Sequence, residues 1–486
     1  MSEPSFGATA DVRAGTGSTG SKKKSTVRHT RAVQRDRGKR PTVGPPAAEV
    51  EAYLAALVQP AVYAQVAAYQ ALGLRHRVLT LPVMVAFVLS LLWRHLGSVG
   101  EAVRVLHQEG VLWSPPLTVS PQAVNQRLRV LPPSLFQGIL DAVLPVVHTR
   151  WEARTDAGVR PLPPVLARTR RHFPSILAVD GSTLDGLLRK VGLLRREDVP
   201  AVPAASAGSA GSAGSAGSAG SAVLAGRMAA LLDVAVGLPR RVWYEADSTA
   251  HDQRFWERIL DALEPGTVLL FDLGFLHHAL FDRLTDAGTA LLTRLKTTAT
   301  YRVERILAWG PETTDQLIWL GSGATQCRHP MRLVGVRHAG VWRRYLTNVL
   351  DPAVLPATDV AALYACRWGC EDAFNTVKRL LGLAYFYVGA TNAVQTQLWA
   401  TWLLYTVLVD LTDAVAATLH RPATTISLEM VYRGLYHFTQ AVHRRLVVAT
   451  DPITYLATNA HWLGLLKRPR ARPHAQPCHL TAAPDP

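Results

Sequence analysis

The sequence predicts an α/β fold preceded by a mainly helical N-terminal region. Two short apolar runs, residues 175–179 and 267–271, have the length and composition of buried strands. Apolar residues between positions 49 and 165 instead recur at helical spacing. Because strands and helices alternate after residue 166, we expect a sheet with helices packed against it.

The composition favours a protein that binds a polyanion. The chain has 486 residues, with 52 Lys and Arg against 36 Asp and Glu, and a net charge of +16. Such an excess favours nucleic acid or an acidic membrane surface as the partner. Apolar residues make up 48% of the chain, which excludes global disorder. Four scattered cysteines do not form a disulfide framework, so we expect a cytoplasmic location.

Two apolar runs, residues 78–93 and 398–409, resemble membrane spans in composition. Both are shorter than the roughly 18–20 residues that a spanning helix needs. The N-terminus also lacks the charged-then-apolar pattern of a signal peptide. We therefore predict buried core helices and no membrane partner.

The first segment, residues 1–48, is predicted to be a disordered basic arm. Nine basic residues and one acid lie between positions 22 and 40. Such an arm can bind phosphates without reading sequence, or serve only as a solubilising tail.

The helical segment, residues 49–165, contains a capped helix start at Ser120 and Pro121. Polar side chains follow on that helix: Gln122, Asn125, Gln126 and Arg129. Amide and guanidinium groups on one short helix suit base-edge readout, although an ordinary surface helix has the same pattern.

The remaining chain divides by composition and predicted structure. Its parts are an α/β segment over 166–296 and 359–415, a flexible Ala/Gly/Ser loop over 204–222, a β-rich segment over 297–358, and a helical C-terminal region with a basic tail over 416–486.

Both predicted buried strands end in an aspartate that is followed closely by glycine. These are Asp180-Gly181 and Asp272-Leu273-Gly274. Ligands of α/β sheets bind beyond the carboxyl ends of strands, so the two acids are candidate metal ligands. Asp and Gly are also favoured in plain strand-end turns, which is the alternative interpretation.

A predicted helix over residues 359–381 supplies a third acid. At about 100° per residue, Tyr364, Arg367, Glu371 and Lys378 share an arc of roughly 60° on that helix. The arc is either an ordinary salt-bridged surface or the basic and acidic wall of a site. Three clustered carboxylates would repel, and two divalent cations about 3.5–4 Å apart relieve that repulsion during phosphoryl transfer. Oxygen-only ligands favour Mg²⁺, with Mn²⁺ as its substitute.

These residues resemble a known family. Asp180, Asp272 and Glu371 resemble the catalytic triad of DDE transposases of the insertion-sequence-4 type. Tyr364-x2-Arg367-x3-Glu371-x6-Lys378 matches the Tyr/Arg/Glu/Lys signature of that family in every residue and spacing. Leu273 departs from the family, which often has a basic residue there. The resemblance extends over about residues 72–411.

The resemblance implies that residues 166–296 and 359–415 form a ribonuclease-H-like catalytic core, and that the β-rich segment over 297–358 is an insertion into it. Asp180 would end the first core strand, Asp272 the fourth, and Glu371 would lie on a later helix. The triad would hold two Mg²⁺ ions, while Tyr364, Arg367 and Lys378 would bind DNA. An insertion aromatic can stack on a flipped base in this family; the candidates are Trp309, Trp319 and Trp342.

The function implied is that of a bacterial insertion-sequence transposase that acts by cut-and-paste transposition. It would bind terminal inverted repeats through residues 49–165, cleave DNA with metal, transfer strands to target DNA, and pair two ends as a homodimer near the nucleoid. The alternatives are an inactive or domesticated DNA-binding protein and a metal-dependent nuclease without strand transfer.

Overall fold

The computed structural model describes residues 48–74, 77–184, 187–188, 226–247, 250–275, 277–338, 340–383, 385–447 and 451–467. The predictions for the basic arm (apart from residue 48), for the Ala/Gly/Ser loop and for the tail after residue 467 lie outside these residues.

Helices fill the described part of the chain before the sheet, as predicted. They are α1 (Ala48–Ala64), α2 (Val66–Ala71), α3 (Leu81–Trp93), α4 (Val99–Gln108), α5 (Pro121–Val130), α6 (Ser134–Asp156) and α7 (Pro164–Arg170). The predicted start of α5 is confirmed, because the Ser120 hydroxyl accepts a hydrogen bond from the Ala123 amide at 3.1 Å. Only Val124 and Leu128 of α5 are buried.

A mixed, mostly antiparallel sheet follows. Its first elements are β1 (Ser175–Thr183), β2 (Leu187–Leu188), β3 (Arg227–Asp233), β4 (Pro239–Glu245), α8 (Trp256–Asp261), β5 (Thr267–Phe271), α9 (His278–Asp286) and β6 (Ala290–Arg294). Strand β3 is antiparallel to β1 and β4, whereas β1, β5 and β6 run parallel to one another. The predicted strands at 175–179 and 267–271 are therefore confirmed, although β1 continues to Thr183.

The strands of the predicted insertion extend this sheet. They are β7 (Tyr301–Trp309), β8 (Thr313–Leu320), β9 (Met331–His338) and β10 (Val341–Thr347). Because β10 pairs with β6, the described residues form one nine-stranded sheet in the order β4-β3-β1-β5-β6-β10-β9-β8-β7. The Asn348 side chain secures this junction by accepting from the Leu291 amide and donating to the Thr289 carbonyl, both at 2.9 Å or less.

The remaining helical elements are α10 (Ala357–Ala365), α11 (Trp368–Asn375), a π-helical turn (Thr376–Leu380), α12 (Thr391–Thr418), α13 (Leu428–His443) and α14 (Pro452–Thr458). The short strand β11 (Tyr385–Phe386) pairs with β2 in a separate two-stranded sheet. The prediction of one continuous helix over 359–381 is wrong. Between α10 and α11 the Arg367 amide donates to the Tyr364 carbonyl, and the Cys370 amide to the Arg367 carbonyl. Each of these hydrogen bonds joins an amide to the carbonyl three residues earlier, as in a 3-10 turn. The backbone is wound more tightly there than in an α-helix, so the α-helix is broken.

Both faces of the sheet are covered by apolar side chains. Ala178 and Leu270 belong to the larger core, which also includes the N-terminal helices and α12. Val179 and Phe271 belong to a smaller core on the opposite face, because successive strand residues point to opposite sides. Helix α12 has the length and hydropathy of a membrane span, but 94% of its most apolar window is buried inside the protein. It is the central helix of the larger core.

An ion network fastens α12 to the N-terminal helices. The Asp410 carboxylate, which is fully buried, accepts from Tyr53 at 2.7 Å, from Arg150 at 2.9 Å and from Arg154 at 2.8 Å. Arg154 also pairs with Asp413 at 2.9 Å. The N-terminal helices therefore share one core with the sheet region, and ion pairs to two buried carboxylates join them to α12.

Candidate active site

The two strand-end aspartates lie at the same edge of the sheet. Val179 of β1 pairs with Phe271 of β5 in parallel register, and Asp180 and Asp272 are the next residues of the two segments. Neighbouring parallel strands bring their carboxyl ends together, so a short apolar strand followed by an acid was enough to predict this proximity.

Arg367 joins the first aspartate to the helix acid. Its guanidinium contacts Asp180 Oδ2 at 3.1 Å and Glu371 Oε1 at 3.3 Å. The Arg367 side chain is 5% exposed and lies beside the rings of Tyr364 and Trp368. A buried guanidinium between two carboxylates balances their charge where water does not.

Tyr364 and Lys378 complete the group. The Tyr364 hydroxyl donates to Asp272 Oδ1 at 3.2 Å, and its ring packs on Tyr345 with centroids 5.3 Å apart. The Lys378 ammonium donates to the carbonyl of Thr183, at the end of β1. The structure thus brings all six residues predicted for the site into contact with one another or with the strand ends. The roles assigned to them stay predictions.

Burial and repulsion from neighbouring carboxylates disfavour the charged forms of Asp180 and Glu371. Burial raises the pKa of Asp180 to about 6 from an ordinary 3.8; Arg367 opposes the rise, and the charges of Glu371 and Asp252 add to it. Burial also raises the pKa of Glu371, again opposed by Arg367. A bound cation would stabilise the ionised forms of carboxylates whose pKa values are raised in this way.

The acids fit a hard divalent cation in donor chemistry. Asp180, Asp272 and Glu371 offer oxygen donors only, which Mg²⁺ and Mn²⁺ prefer. Within the described ranges, no group of three or more His, Cys, Asp or Glu side chains is already arranged around a metal position. Instead, Arg367 balances the charge of Asp180 and Glu371, while Asp272 bonds to Tyr364.

A fourth acid beside the site was missed by the sequence reasoning. Asp252 pairs with Arg227, whose Nη2 lies 2.6 Å from Asp252 Oδ1. A Cβ added to Gly181 would overlap that same oxygen, and one added to Gly274 would lie 3.6 Å from Oδ2. The sequence around Asp252 predicts only a helix, so no local pattern indicated that this residue lies near Asp180.

The insertion tryptophans differ in exposure. Trp309, at the end of β7, is 70% exposed, and Trp342, at the start of β10, is 42% exposed. Trp319 is half-buried. The structure therefore leaves Trp309 and Trp342 as the two insertion tryptophans most accessible to a partner.

A family comparison covers the segment that holds this site. Residues 171–407 match the family described as Transposase DDE domain. The transposase DDE match spans 237 of the 486 residues and includes all six predicted site residues, as well as Asp252. It does not test the insertion-sequence-4 subtype.

Two individual proteins are also similar to this chain. "Putative transposase y4zB" of Sinorhizobium fredii (strain NBRC 101917 / NGR234) is 28% identical over 236 residues. These residues are 47% of this chain and 61% of the relative, so the chain spans about three fifths of that protein's length. The cryo-EM structure of the piggyBac transposase synaptic complex with hairpin DNA aligns at 10% identity and a TM-score of 0.35, over 90% of this chain and 82% of that one. A score this low carries no weight for the fold.

Proposed function

We propose that this protein is a DDE transposase of the insertion-sequence-4 type, which binds the terminal inverted repeats of its element and catalyses metal-dependent DNA cleavage and strand transfer. The observation that carries the proposal is the Arg367 bridge between Asp180 and Glu371, beside the Tyr364–Asp272 hydrogen bond. It joins the complete Tyr/Arg/Glu/Lys signature to both strand-end aspartates, inside the segment that matches the transposase DDE domain.

The strand arrangement supports a ribonuclease-H-like core within this proposal. If the two-residue β2 is set aside, β1 and β5 are the first and fourth strands in chain order, and they lie side by side in parallel. Asp180 and Asp272 follow the buried parts of these two strands, as that core requires.

Each site residue then has a definite task. Asp180, Asp272 and Glu371 would hold Mg²⁺ or Mn²⁺, which when bound would supply charge stabilisation for the attacking and leaving oxygens of phosphoryl transfer. Tyr364 orients the Asp272 carboxylate through its hydroxyl. Arg367 and Lys378 are the cations that would hold the phosphates next to the scissile bond.

DNA binding is assigned to the basic arm and to the helical region. Helix α5 exposes Gln122, Gln126 and Arg129 at helical spacing, so these three project from one face. Its acid-free sequence and its two buried anchors, Val124 and Leu128, make it the described helix best suited to enter a major groove. Trp309 and Trp342 are the insertion side chains assigned to base stacking. A homodimer would pair two element ends at the nucleoid.

The decisive test is Glu371→Gln in the full chain. Metal-dependent cleavage of a duplex that carries the element end should fall by at least about 1,000-fold, because the substituted amide cannot supply the carboxylate charge. Glu429→Gln is the matched control, since Glu429 is an exposed partner of Arg433 on α13. This variant should cleave the duplex at the rate of the unsubstituted protein. Cleavage by Glu371→Gln at a rate close to that of the unsubstituted protein would reject the assignment.

Two further observations separate the alternatives. Assays of joined products distinguish a transposase from a nuclease that lacks strand transfer. Terminal inverted repeats bounded by short target duplications in the flanking DNA favour a live element over a domesticated DNA-binding protein.

A further inference from the structure

Asp252 lies between the two segments that carry the strand-end aspartates. Its Oδ1 occupies the space that a side chain at Gly181 would fill, and its Oδ2 lies 3.6 Å from the corresponding position at Gly274. Gly181 follows Asp180 directly, and Gly274 comes two residues after Asp272. One carboxylate therefore lies next to both segments.

Asp252 approaches from the face opposite to the catalytic group. Val179, two residues before Gly181 on β1, belongs to the smaller core, whereas Ala178 and therefore Asp180 face the larger one. The 3-10 helix Asp252–Phe255 packs on the smaller core through Phe255, which is fully buried. Asp252 thus supports β1 on the smaller-core face, whereas Arg367, which also pairs with Glu371, contacts Asp180 on the other face.

The position of Asp252 is fixed on several sides. Arg227, paired with Thr183 across β1 and β3, donates to Asp252 Oδ1 from Nε at 2.8 Å and to the Ala250 carbonyl at 2.9 Å. The next helix is anchored by Trp256, whose ring meets Phe271 and Phe275 edge-on at 5.6 and 5.4 Å. A carboxylate held in this way cannot swing aside cheaply when a neighbour grows.

We propose that Asp252, held by Arg227, is a positioning residue that sets the spacing between Asp180 and Asp272 by filling the gap left by Gly181 and Gly274. Gly181 is then required by its close approach to Asp252, in addition to any turn preference, whereas a methyl group at Gly274 would only come into ordinary contact with the Asp252 carboxylate. This inference rests on the proposed function for its consequence, which is metal binding, but its steric part stands on the fold alone.

The steric part is tested by a double-substitution cycle with Gly181→Ala and Asp252→Ala, measured by thermal unfolding without metal. Gly181→Ala should lower the melting temperature in the unsubstituted protein, because its methyl overlaps Asp252 Oδ1. It should have little effect in the Asp252→Ala background, where that space is vacant. Gly274→Ala is the matched control and should be mild, since 3.6 Å is an ordinary contact. An undiminished effect of Gly181→Ala in the Asp252→Ala background would overturn the contact.

The positioning part is tested by titrating the folded full chain with Mn²⁺. Asp252→Ala should weaken Mn²⁺ binding about tenfold, as loss of an outer-shell support does. Asp252→Asn keeps the shape and should stay within about threefold of the unsubstituted protein. Asp282→Ala removes a more deeply buried aspartate that accepts from the Arg328 amide, and it should leave Mn²⁺ binding unchanged.

Two results would overturn the positioning role: Mn²⁺ affinity unchanged in Asp252→Ala, or an equal loss in Asp252→Asn. If the unsubstituted protein binds no Mn²⁺, the metal part of the proposed function fails together with the positioning role, and the unfolding cycle still decides the steric contact.

Discussion

Removing the first candidate metal ligand should stabilise the metal-free protein. The pKa of Asp180 is raised from 3.8 to about 6, chiefly by burial, so the folded state binds a proton more tightly than the unfolded state. Stability from this group is fully present below pH 3.8 and is lost as the pH rises through 6. At about 1.4 kcal/mol for each pH unit of difference, the ionised carboxylate costs about 3 kcal/mol at pH 8.

Asp180→Asn keeps the shape and removes the ionisation. The variant should therefore be more stable than the unsubstituted protein by about 3 kcal/mol at pH 8 and by less than about 1 kcal/mol at pH 4. The amide oxygen can still accept from the Gly181 amide, which donates to Asp180 Oδ1 at 2.8 Å. This gain would mark a site that gives up stability for function.

The assay is urea unfolding in a metal chelator, followed by tryptophan fluorescence between pH 4 and pH 8. Asp156→Asn is the control, because Asp156 is exposed at the end of α6 and should show no comparable gain. The reasoning fails if Asp180→Asn is no more stable at pH 8, or if its advantage does not shrink between pH 8 and pH 4.

Three further predictions address stability, the site and DNA binding. Asp410→Asn should lower the free energy of unfolding by about 3 kcal/mol, because the fully buried carboxylate no longer balances the charges of the partly buried Arg154 and Arg150. The exposed pair altered in Glu429→Gln should change it by less than about 1 kcal/mol in the same urea titration. Arg367→Lys should reduce DNA cleavage at least about tenfold in a plasmid nicking assay, while binding to the element ends persists. The reason is that the lysine ammonium lacks the forked guanidinium that spans two carboxylates. Normal cleavage would contradict this prediction. Deletion of residues 1–40 should weaken DNA affinity and flatten its salt dependence without affecting catalysis; an unchanged salt slope would remove the arm from DNA binding.

Local sequence was sufficient where one element depends on its own residues. The apolar runs that precede Asp180 and Asp272 both formed strands as predicted, although β1 continues past Asp180 to Thr183. The α5 start was also predicted, since Ser120 and Pro121 act within one turn. The continuous helix over 359–381 was wrong, because periodicity cannot show that the turns around Arg367 tighten while its side chain reaches Asp180 on another element.

The sequence by itself determined the chemistry of the candidate site. Residue types and fixed spacing selected three acids, Arg367, Lys378 and Tyr364, since a helix repeat and a strand end are short-range features. Tertiary structure decided which carboxylates Arg367 bridges and placed Asp252 on the other side of β1 from Arg367. It also decided that the insertion strands extend the same sheet. Such contacts join residues far apart in the chain, and their partners are fixed only when the packed core brings the elements together.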